Sequence, residues 1–218
     1  MSWRSSGLHR TADTDPVWPS HNTDGVDPQG SRNVHIHHCR IDTGDDVIAV
    51  SAGKGLQGRL VAEETANVLV EDCVFGHGHG LSVGSGTAGS ITNVTFRRCT
   101  FSGTENGVRL KTQRGRGGVV SNILYDDLTL SNIGDDALLL NMDYSPDIPP
   151  TNKSATPVFR DITIQNIVVQ SAGSAGLIRG LPESPITNLT LSNVTVSNYH
   201  NAITCSYASG TATNLHPS

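Results

Sequence analysis

Short apolar runs recur along the chain and fall into two sets that advance in step. Runs of the first set begin with Asn or Asp and then alternate apolar with other residues; they start at Asn33, Asn67, Asn93, Asn122, Asp161 and Asn188. One run of the second set follows each of these; the second set starts at Val47, Gly80, Gly107, Ala137, Gly176 and Ala202. Successive starts within a set lie 26 to 39 residues apart, roughly the length of one solenoid coil. The repeat predicts stacked coils that build two strand ladders.

The alternation within each run predicts a short β-strand of four to six residues. Side chains alternate across a strand, so the apolar positions would face inward and the others outward. Gly, Asn, Asp or Ser bounds the runs, and these residues favour turns. A β-sandwich is the alternative, but it does not require the same tetrapeptide pattern at the same phase of every repeat. The sequence therefore predicts an all-β chain folded as a single-domain parallel β-helix.

The repeats also predict how the chain is divided. Residues 20–207 carry the repeats and are predicted to form the β-helix domain. Residues 1–19 read as an irregular N-terminal segment, and residues 208–218 as a C-terminal tail.

Composition excludes several classes of partner. The 218 residues carry a net charge of −5, and 15 Lys and Arg residues form no basic stripe of the kind that binds nucleic acid. No apolar run approaches the roughly 18 residues of a membrane helix, and the first twenty residues lack the apolar middle of a secretory signal. We therefore expect a monomer that binds neither nucleic acid nor membrane.

Polar residues gather at one edge of the second ladder. The position before each second-set run is occupied by Asp46, His79, Asn106, Asp136, Ala175 and Asn201. One coil earlier, the run after Asn22 has the same form and places Asp24 beneath Asp46, with Asp45 beside it. Carboxylates one coil step apart raise each other's proton affinity, so one can keep a proton while another is ionised. Glycoside hydrolysis requires such a pair.

Basic residues follow on the next coils of the same edge. Arg109 and Lys111 are two positions apart on one strand, so both should point outward while Val108 and Leu110 point inward. Guanidinium and ammonium groups bind carboxylates, which suits a substrate with one carboxylate per sugar ring. His79, one coil above Asp46, is placed to contact a carboxylate and bias its protonation.

These residues resemble the motifs of a known family. Asn22-Thr23-Asp24, Gly44-Asp45-Asp46, Gly78-His79-Gly80 and Arg109-Leu110-Lys111 occur in the order and strand context of the four motifs of glycoside hydrolase family 28, the polygalacturonases. A single Asp-Asp pair carries little information, but four motifs in order on one repeat lattice are specific. The resemblance covers about residues 18 to 207.

The resemblance implies a right-handed parallel β-helix that hydrolyses polygalacturonic acid with inversion of configuration. It implies that Asp45 is the general acid and that Asp24 and Asp46 activate the attacking water. His79 would tune this cluster. Carboxylates one coil apart would lie near the roughly 5 Å of retaining glycosidases rather than the 6.5–9.5 Å of inverting ones, and side-chain direction must decide between them.

The same resemblance assigns the substrate contacts. Arg109 and Lys111 would hold galacturonate carboxylates, Tyr144 would line the sugar site, and Asn22 would orient a carboxylate or the substrate. It implies no metal and no cofactor, and it implies a secreted protein.

The sequence also departs from the family pattern. Family members usually carry further coils before the Asn-Thr-Asp strand, an N-terminal cap and a secretion signal, so the chain is expected to begin late in the solenoid. Two alternatives therefore stay open: a pectate-lyase-like enzyme that cleaves by β-elimination, and a non-catalytic β-helix that binds carbohydrate or is inert. Endo or exo action depends on loops that the sequence does not specify.

Other candidate residues are interpreted as structural. Asp135-Asp136 repeats the form of the Asp45-Asp46 turn, and we expect it to shape the backbone. Cys39, Cys73 and Cys99 each fall six residues after the Asn of their coil, so we expect reduced thiols in one inward column, with Cys205 on the other ladder.

Overall fold

The computed structural model describes residues 21–145 and 155–217, and its strands stack in parallel along most of that length. The segment predicted to be irregular, 1–19, lies outside the described residues. Numbered in chain order, the strands of the largest sheet are β1 (Arg32–His37), β2 (Arg40–Ile41), β4 (Thr65–Glu71), β5 (Val74–Phe75), β7 (Ile91–Ser102), β9 (Val119–Ser131), β12 (Val158–Val169), β15 (Ile186–Val196) and β18 (Ala208–Pro217).

Two smaller parallel sheets complete the coils. The second sheet contains β3 (Ile48–Val50), β6 (Leu81–Gly84), β8 (Val108–Lys111), β11 (Leu138–Asn141), β14 (Leu177–Arg179) and β17 (Thr204–Ser206). The third contains β10 (Ile133–Asp136), β13 (Ala172–Ser174) and β16 (Tyr199–Asn201). Each strand pairs with strands one coil away, which is the right-handed parallel β-helix predicted from the sequence.

The first ladder has the predicted register. The residues after each Asn or Asp pair in one row: Val34, Val68, Val94, Ile123, Ile162 and Leu189. The Asn and Asp residues themselves have φ of 53° to 60°, a left-handed conformation that Asn and Asp adopt more readily than most residues. Their side chains also bond along the stack, since the Asn67 amide donates to Asn33 Oδ1 at 3.1 Å. This explains why Asn recurs at this position.

Strands of the first ladder are longer than predicted. Strand β9 has 13 residues and continues through Asp127, whose φ is 53°. The chain bends at such residues while the bonds to neighbouring coils continue, so a turn-forming residue does not end the strand. Residues 208–217, assigned to a tail from the sequence, form β18, which pairs with β15.

The second ladder follows the predicted register only as far as β11. Ile48, Leu81, Val108 and Leu138 align as expected, but Leu177 pairs with Leu139 instead of Leu138. Ser174, not Ala175, therefore lies beside Asp136. Ala175 and Gly176 are both small, so the apolar pattern alone does not distinguish the two registers.

Inward side chains fill the coils with stacked rings and aliphatic groups. Phe96 stacks on Tyr125 with ring centroids 4.7 Å apart, and both are fully buried. Cys73 and Cys99 are buried in the predicted column with Cys39. All four thiols are free.

One helix was not predicted. The seven-residue helix α1 (Gly55–Val61) follows β3 and ends where Ala62 adopts φ 50°. Arg59 on its last turn donates to the Gly115 carbonyl at 2.6 Å, which ties the helix to the loop after β8, two coils away. In the described part of the chain, no helix is long and apolar enough to cross a membrane.

Candidate active site

The carboxylates predicted to cluster lie on adjacent turns. The Gly25 N–H donates to the Asp46 carbonyl at 2.9 Å, which sets Asp24 in register with Asp46. A Cβ on Gly25 would lie 2.4 Å from the Val47 carbonyl oxygen, so a side chain there would push the two coils apart. The Asn22 N–H donates to Asp45 Oδ2 at 3.2 Å. The structure thus brings Asn22, Asp24, Asp45 and Asp46 together at one edge.

Asp46 is the buried centre of this cluster. It is 3% exposed, and its Oδ1 accepts from Ser82 Oγ and from Arg109 Nη1, each at 2.6 Å. Lys111 Nζ donates to Oδ2 at 2.6 Å. Ser82 was not singled out from the sequence, although it pairs with Arg109 in the strand register. Two cations thus contact Asp46, as a buried charge requires.

Arg109 and Lys111 form ion pairs with Asp46 that were not predicted from the sequence. Both leave the solenoid on its outer face while Val108 and Leu110 are fully buried inside, as the alternation predicts. Each is only 6% exposed and engaged with Asp46, whereas the sequence assigned both to substrate. Arg109 Nε is buried without a hydrogen-bond partner among the described residues, so one donor of the guanidinium is uncommitted.

Asp45 is less buried than Asp46 and faces His79. Its Oδ1 accepts from the Asp46 N–H at 2.8 Å and lies 3.0 Å from His79 Nδ1. Burial raises the pKa of Asp45, but the Asp46 N–H and the His79 ring outweigh burial, so the pKa lies below its ordinary value. This direction opposes the role of general acid that the resemblance implies for Asp45.

The pKa values of Asp24 and Asp27 are shifted upward, in the opposite direction to the pKa of Asp45. Desolvation, followed by the charges of Asp45 and Asp46, raises the pKa of Asp24. Asp27 is exposed overall, yet partial desolvation of its carboxyl and the charge of Asp24 raise its pKa to about 6. Asp27 was not predicted from the sequence. In the sequence, the only feature that marks Asp27 is its position three residues after Asp24, in the same run.

Replacing Asp27 with Asn is expected to stabilise the fold at neutral pH but not in acid. The folded-state pKa of about 6 lies above the ordinary 3.8, so the stability of the native chain falls as pH rises from about 4 to about 6. The Asn variant lacks this penalty. Thermal melts should show a higher midpoint for the variant at pH 7 and little difference at pH 4; an equal gain at both pH values would contradict the assignment.

His79 and Tyr144 complete the predicted set. Besides Asp45, the His79 ring meets Glu105, whose Oε2 lies 3.0 Å from Nε2. The Tyr144 ring is exposed, and Lys111 Nζ lies 5.5 Å from its centroid, within the range of a cation–π contact. The structure therefore places all eight sequence-derived residues around one edge of the second sheet.

Asp45, Asp46 and His79 carry atoms of the kind that bind metal ions. Ligand atoms of Asp45, Asp46 and His79 lie within 4.8 Å of one another. Arg109 and Lys111 already neutralise Asp46, and two cations would repel a divalent ion at this point. The residues present therefore fit a metal poorly, and the expected absence of a metal stays a prediction.

The second Asp-Asp turn differs from the first. Asp136 is buried; burial raises its pKa, and the Ser174 hydroxyl partly offsets the shift. Asp135 is exposed, and its N–H donates to the Glu105 carbonyl at 2.7 Å. Within the described residues, neither forms an ion pair with Arg109 or Lys111, both of which bind Asp46. The interpretation of this turn as structural remains a prediction.

Known proteins share both the sequence and the fold. An endo-polygalacturonase of Pectobacterium carotovorum subsp. carotovorum is 35% identical over 173 residues, which are 79% of this chain and 40% of that protein. An exopolygalacturonase from Thermotoga maritima superposes with a TM-score of 0.84 at 26% identity, covering 88% of this chain and 43% of that one. Endopolygalacturonase I from Stereum purpureum, solved with two galacturonates, gives 0.61 at 26% identity, covering 88% and 55%.

Coverage and family membership follow from these comparisons. The chain spans about 40% of the length of the Pectobacterium relative. The sequence profile of the glycosyl hydrolases family 28 matches residues 8–214, nearly the whole chain. The four motifs stand at one edge of a parallel β-helix, in the order that the resemblance requires. The chain belongs to glycosyl hydrolase family 28.

Proposed function

We propose that this site hydrolyses α-1,4-galacturonosyl linkages in polygalacturonic acid and pectin. The observation that carries the proposal is the stacking of Asp24, Asp45 and Asp46 at one edge, with Arg109 and Lys111 drawn into the same cluster. Family membership supports the reaction class. The galacturonates bound to the Stereum enzyme support the substrate class.

Asp45 is the proposed general acid. Its side chain is partly exposed, so its carboxyl can reach a glycosidic oxygen in the cleft, whereas Asp46 is closed in by its partners. The pKa of Asp45 lies below its ordinary value. A bound polyuronate brings negative charge and excludes water, and both changes raise the pKa of a carboxyl. Asp45 would therefore take up its proton as substrate binds, most readily in acid solution.

Asp24 and Asp46 are the proposed activators of water. Asp46 Oδ1 accepts from Ser82 and Arg109, whereas Oδ2 accepts only from Lys111 and can take one further hydrogen bond from a water molecule. A carboxylate held by these three groups is badly placed to attack an anomeric carbon itself. Asp24 is open to solvent and can orient a water molecule. This arrangement favours attack by water and inversion. One oxygen of Asp45 lies within 4.8 Å of one oxygen of Asp46, which is near the roughly 5 Å between the carboxyl groups of retaining enzymes. The stereochemistry therefore needs its own test.

We propose that substrate carboxylates bind those N–H donors of Arg109 and Lys111 that do not bond Asp46. One of the three N–H donors of Lys111 bonds Asp46, and Arg109 Nε has no hydrogen-bond partner among the described residues. Tyr144 offers an exposed aromatic face for a sugar ring, and Asn22 fixes Asp45 through its backbone N–H. The proposed partner is thus a polysaccharide, met outside the cell by a secreted monomer.

Product analysis tests the reaction. Purified chain is incubated with polygalacturonic acid in chelator, and reducing ends and ultraviolet-absorbing unsaturated products are followed together. We expect new reducing ends without unsaturated product. Unsaturated product would indicate β-elimination, and binding of polygalacturonate by a folded chain without any product would indicate a non-catalytic carbohydrate-binding protein; either result would overturn the proposal.

Stereochemistry is read in the same reaction. The anomeric proton of the newly formed reducing end is observed by NMR before mutarotation. Inversion of the α-linkage should give the β-anomer first. An initial α-anomer would mean double displacement and would refute the water-activating roles of Asp24 and Asp46 while leaving hydrolysis intact.

A further inference from the structure

The His79 ring lies between two carboxylates on neighbouring coils. Its Nδ1 is 3.0 Å from Asp45 Oδ1, and its Nε2 is 3.0 Å from Glu105 Oε2. A neutral imidazole has one bare nitrogen, whose lone pair would face a carboxylate oxygen at this distance. When both carboxyl groups are ionised, this repulsion disappears only if both ring nitrogens carry protons. The geometry therefore favours an imidazolium ion at His79.

Backbone bonds hold the three groups in a row. The His79 N–H donates to the Asp45 carbonyl, and the Glu105 N–H donates to the Gly78 carbonyl, each at 2.7 Å. Gly78 has φ +123°, and a Cβ there would lie 2.5 Å from Thr43 Oγ1, so the turn carrying His79 packs closely on the turn carrying Asp45. Asp45, His79 and Glu105 thus occupy successive turns of the β-helix.

We infer that Glu105 is a positioning residue, which holds the proton on His79 Nε2 and so keeps a positive charge beside Asp45. Glu105 does not reach the carboxylate cluster itself; it acts through the imidazole. The His79 charge is one of the causes that lower the pKa of Asp45. The inference rests on the proposed function only in assigning this charge a part in catalysis.

Other charged groups lie near His79. Asp46 lies within reach of the ring but is balanced by Arg109 and Lys111. Other titratable groups of this edge are His77 and Asp42, and then Asp135 and Asp136 on the turn beyond Glu105. His77 contacts Asp42 at 3.1 Å, and the Asp135-Asp136 turn lies beyond Glu105. Asp45 and Glu105 are therefore the two carboxylates placed directly against the ring nitrogens.

The test is a Glu105→Gln variant observed by nitrogen NMR of the His79 ring. Glu105 has a side chain that is 45% exposed, so the substitution should leave the fold intact. Gln keeps the size but removes the charge. We expect the His79 ring to lose its second proton at a pH lower by about 0.2 to 0.7 unit, the range for a partly exposed ion pair. An unchanged titration of His79 would overturn the inference.

Asp42→Asn is the matched control. It removes the carboxylate from the neighbouring His77 contact and should leave the His79 titration unchanged. If the wild-type chain hydrolyses polygalacturonate, the Gln variant should keep kcat to a higher pH than wild type with KM little altered, because a weaker positive charge at His79 lets Asp45 hold its proton longer. An inactive wild-type chain with the expected NMR shift would refute the proposed function and leave the role of Glu105 standing.

Discussion

Asp45→Asn is expected to lower the rate of reducing-end release about 10²- to 10⁴-fold, the usual contribution of a general acid. The amide has the same shape, and its one oxygen can still accept from the Asp46 N–H, while the exposed Asn22 N–H can bond water instead. It cannot give a proton to the leaving oxygen. The loss should therefore appear in kcat, with thermal melting close to that of wild type.

Asp135→Asn provides the control for this loss. Asp135 is the first Asp of the second Asp-Asp turn, so the sequence change is the same, but it lies beyond Glu105 and away from Asp24 and Asp46. We expect its rate to match wild type within about two-fold, since exposed substitutions away from such features rarely matter. Equal losses in both variants would mean that the first turn has no special chemistry.

Asp46→Asn is expected to lower the free energy of unfolding by about 3 to 5 kcal/mol, the cost of removing one partner from a buried ion pair. Arg109 and Lys111 are each 6% exposed, and their bonds to Asp46 are 2.6 Å long. An Asn amide can accept from only some of the N–H donors of Arg109 and Lys111, and it cannot neutralise their positive charge. Urea unfolding of both proteins at neutral pH measures the difference.

Asp72→Asn is the corresponding control. Asp72 also binds a cation through two bonds, because Arg98 donates to both of its oxygens, but this pair is open to solvent. Exposed pairs are screened and contribute little. We expect almost no change in unfolding. A loss at Asp46 no greater than the loss at Asp72 would show that the Asp46 cluster is not stabilised as its burial implies.

Together these variants separate two carboxylates that are adjacent in sequence. Asp45 should matter for the rate and little for stability, whereas Asp46 should matter for both. The physical reason is burial, since Asp46 is enclosed with its cations and Asp45 faces the cleft.

The sequence alone determined the solenoid and the location of the site. Side-chain alternation and the turn preference of Asn are local properties, so the rows through Val34 and Ile48 were predicted in register with their neighbours. Four short motifs on that lattice were enough to gather the carboxylates and cations at one edge. The register failed at Gly176, where two small residues made adjacent alignments equivalent.

Only the tertiary structure decided which groups are partners. The sequence placed Arg109 and Lys111 on the outer face but not in contact with Asp46, and it gave no reason to select Ser82, Asp27 or Glu105. Those contacts depend on how closely successive coils pack and on which way each side chain turns, and both are set across coils. The charge on each carboxylate follows from the same contacts, because burial and nearby charges fix a pKa.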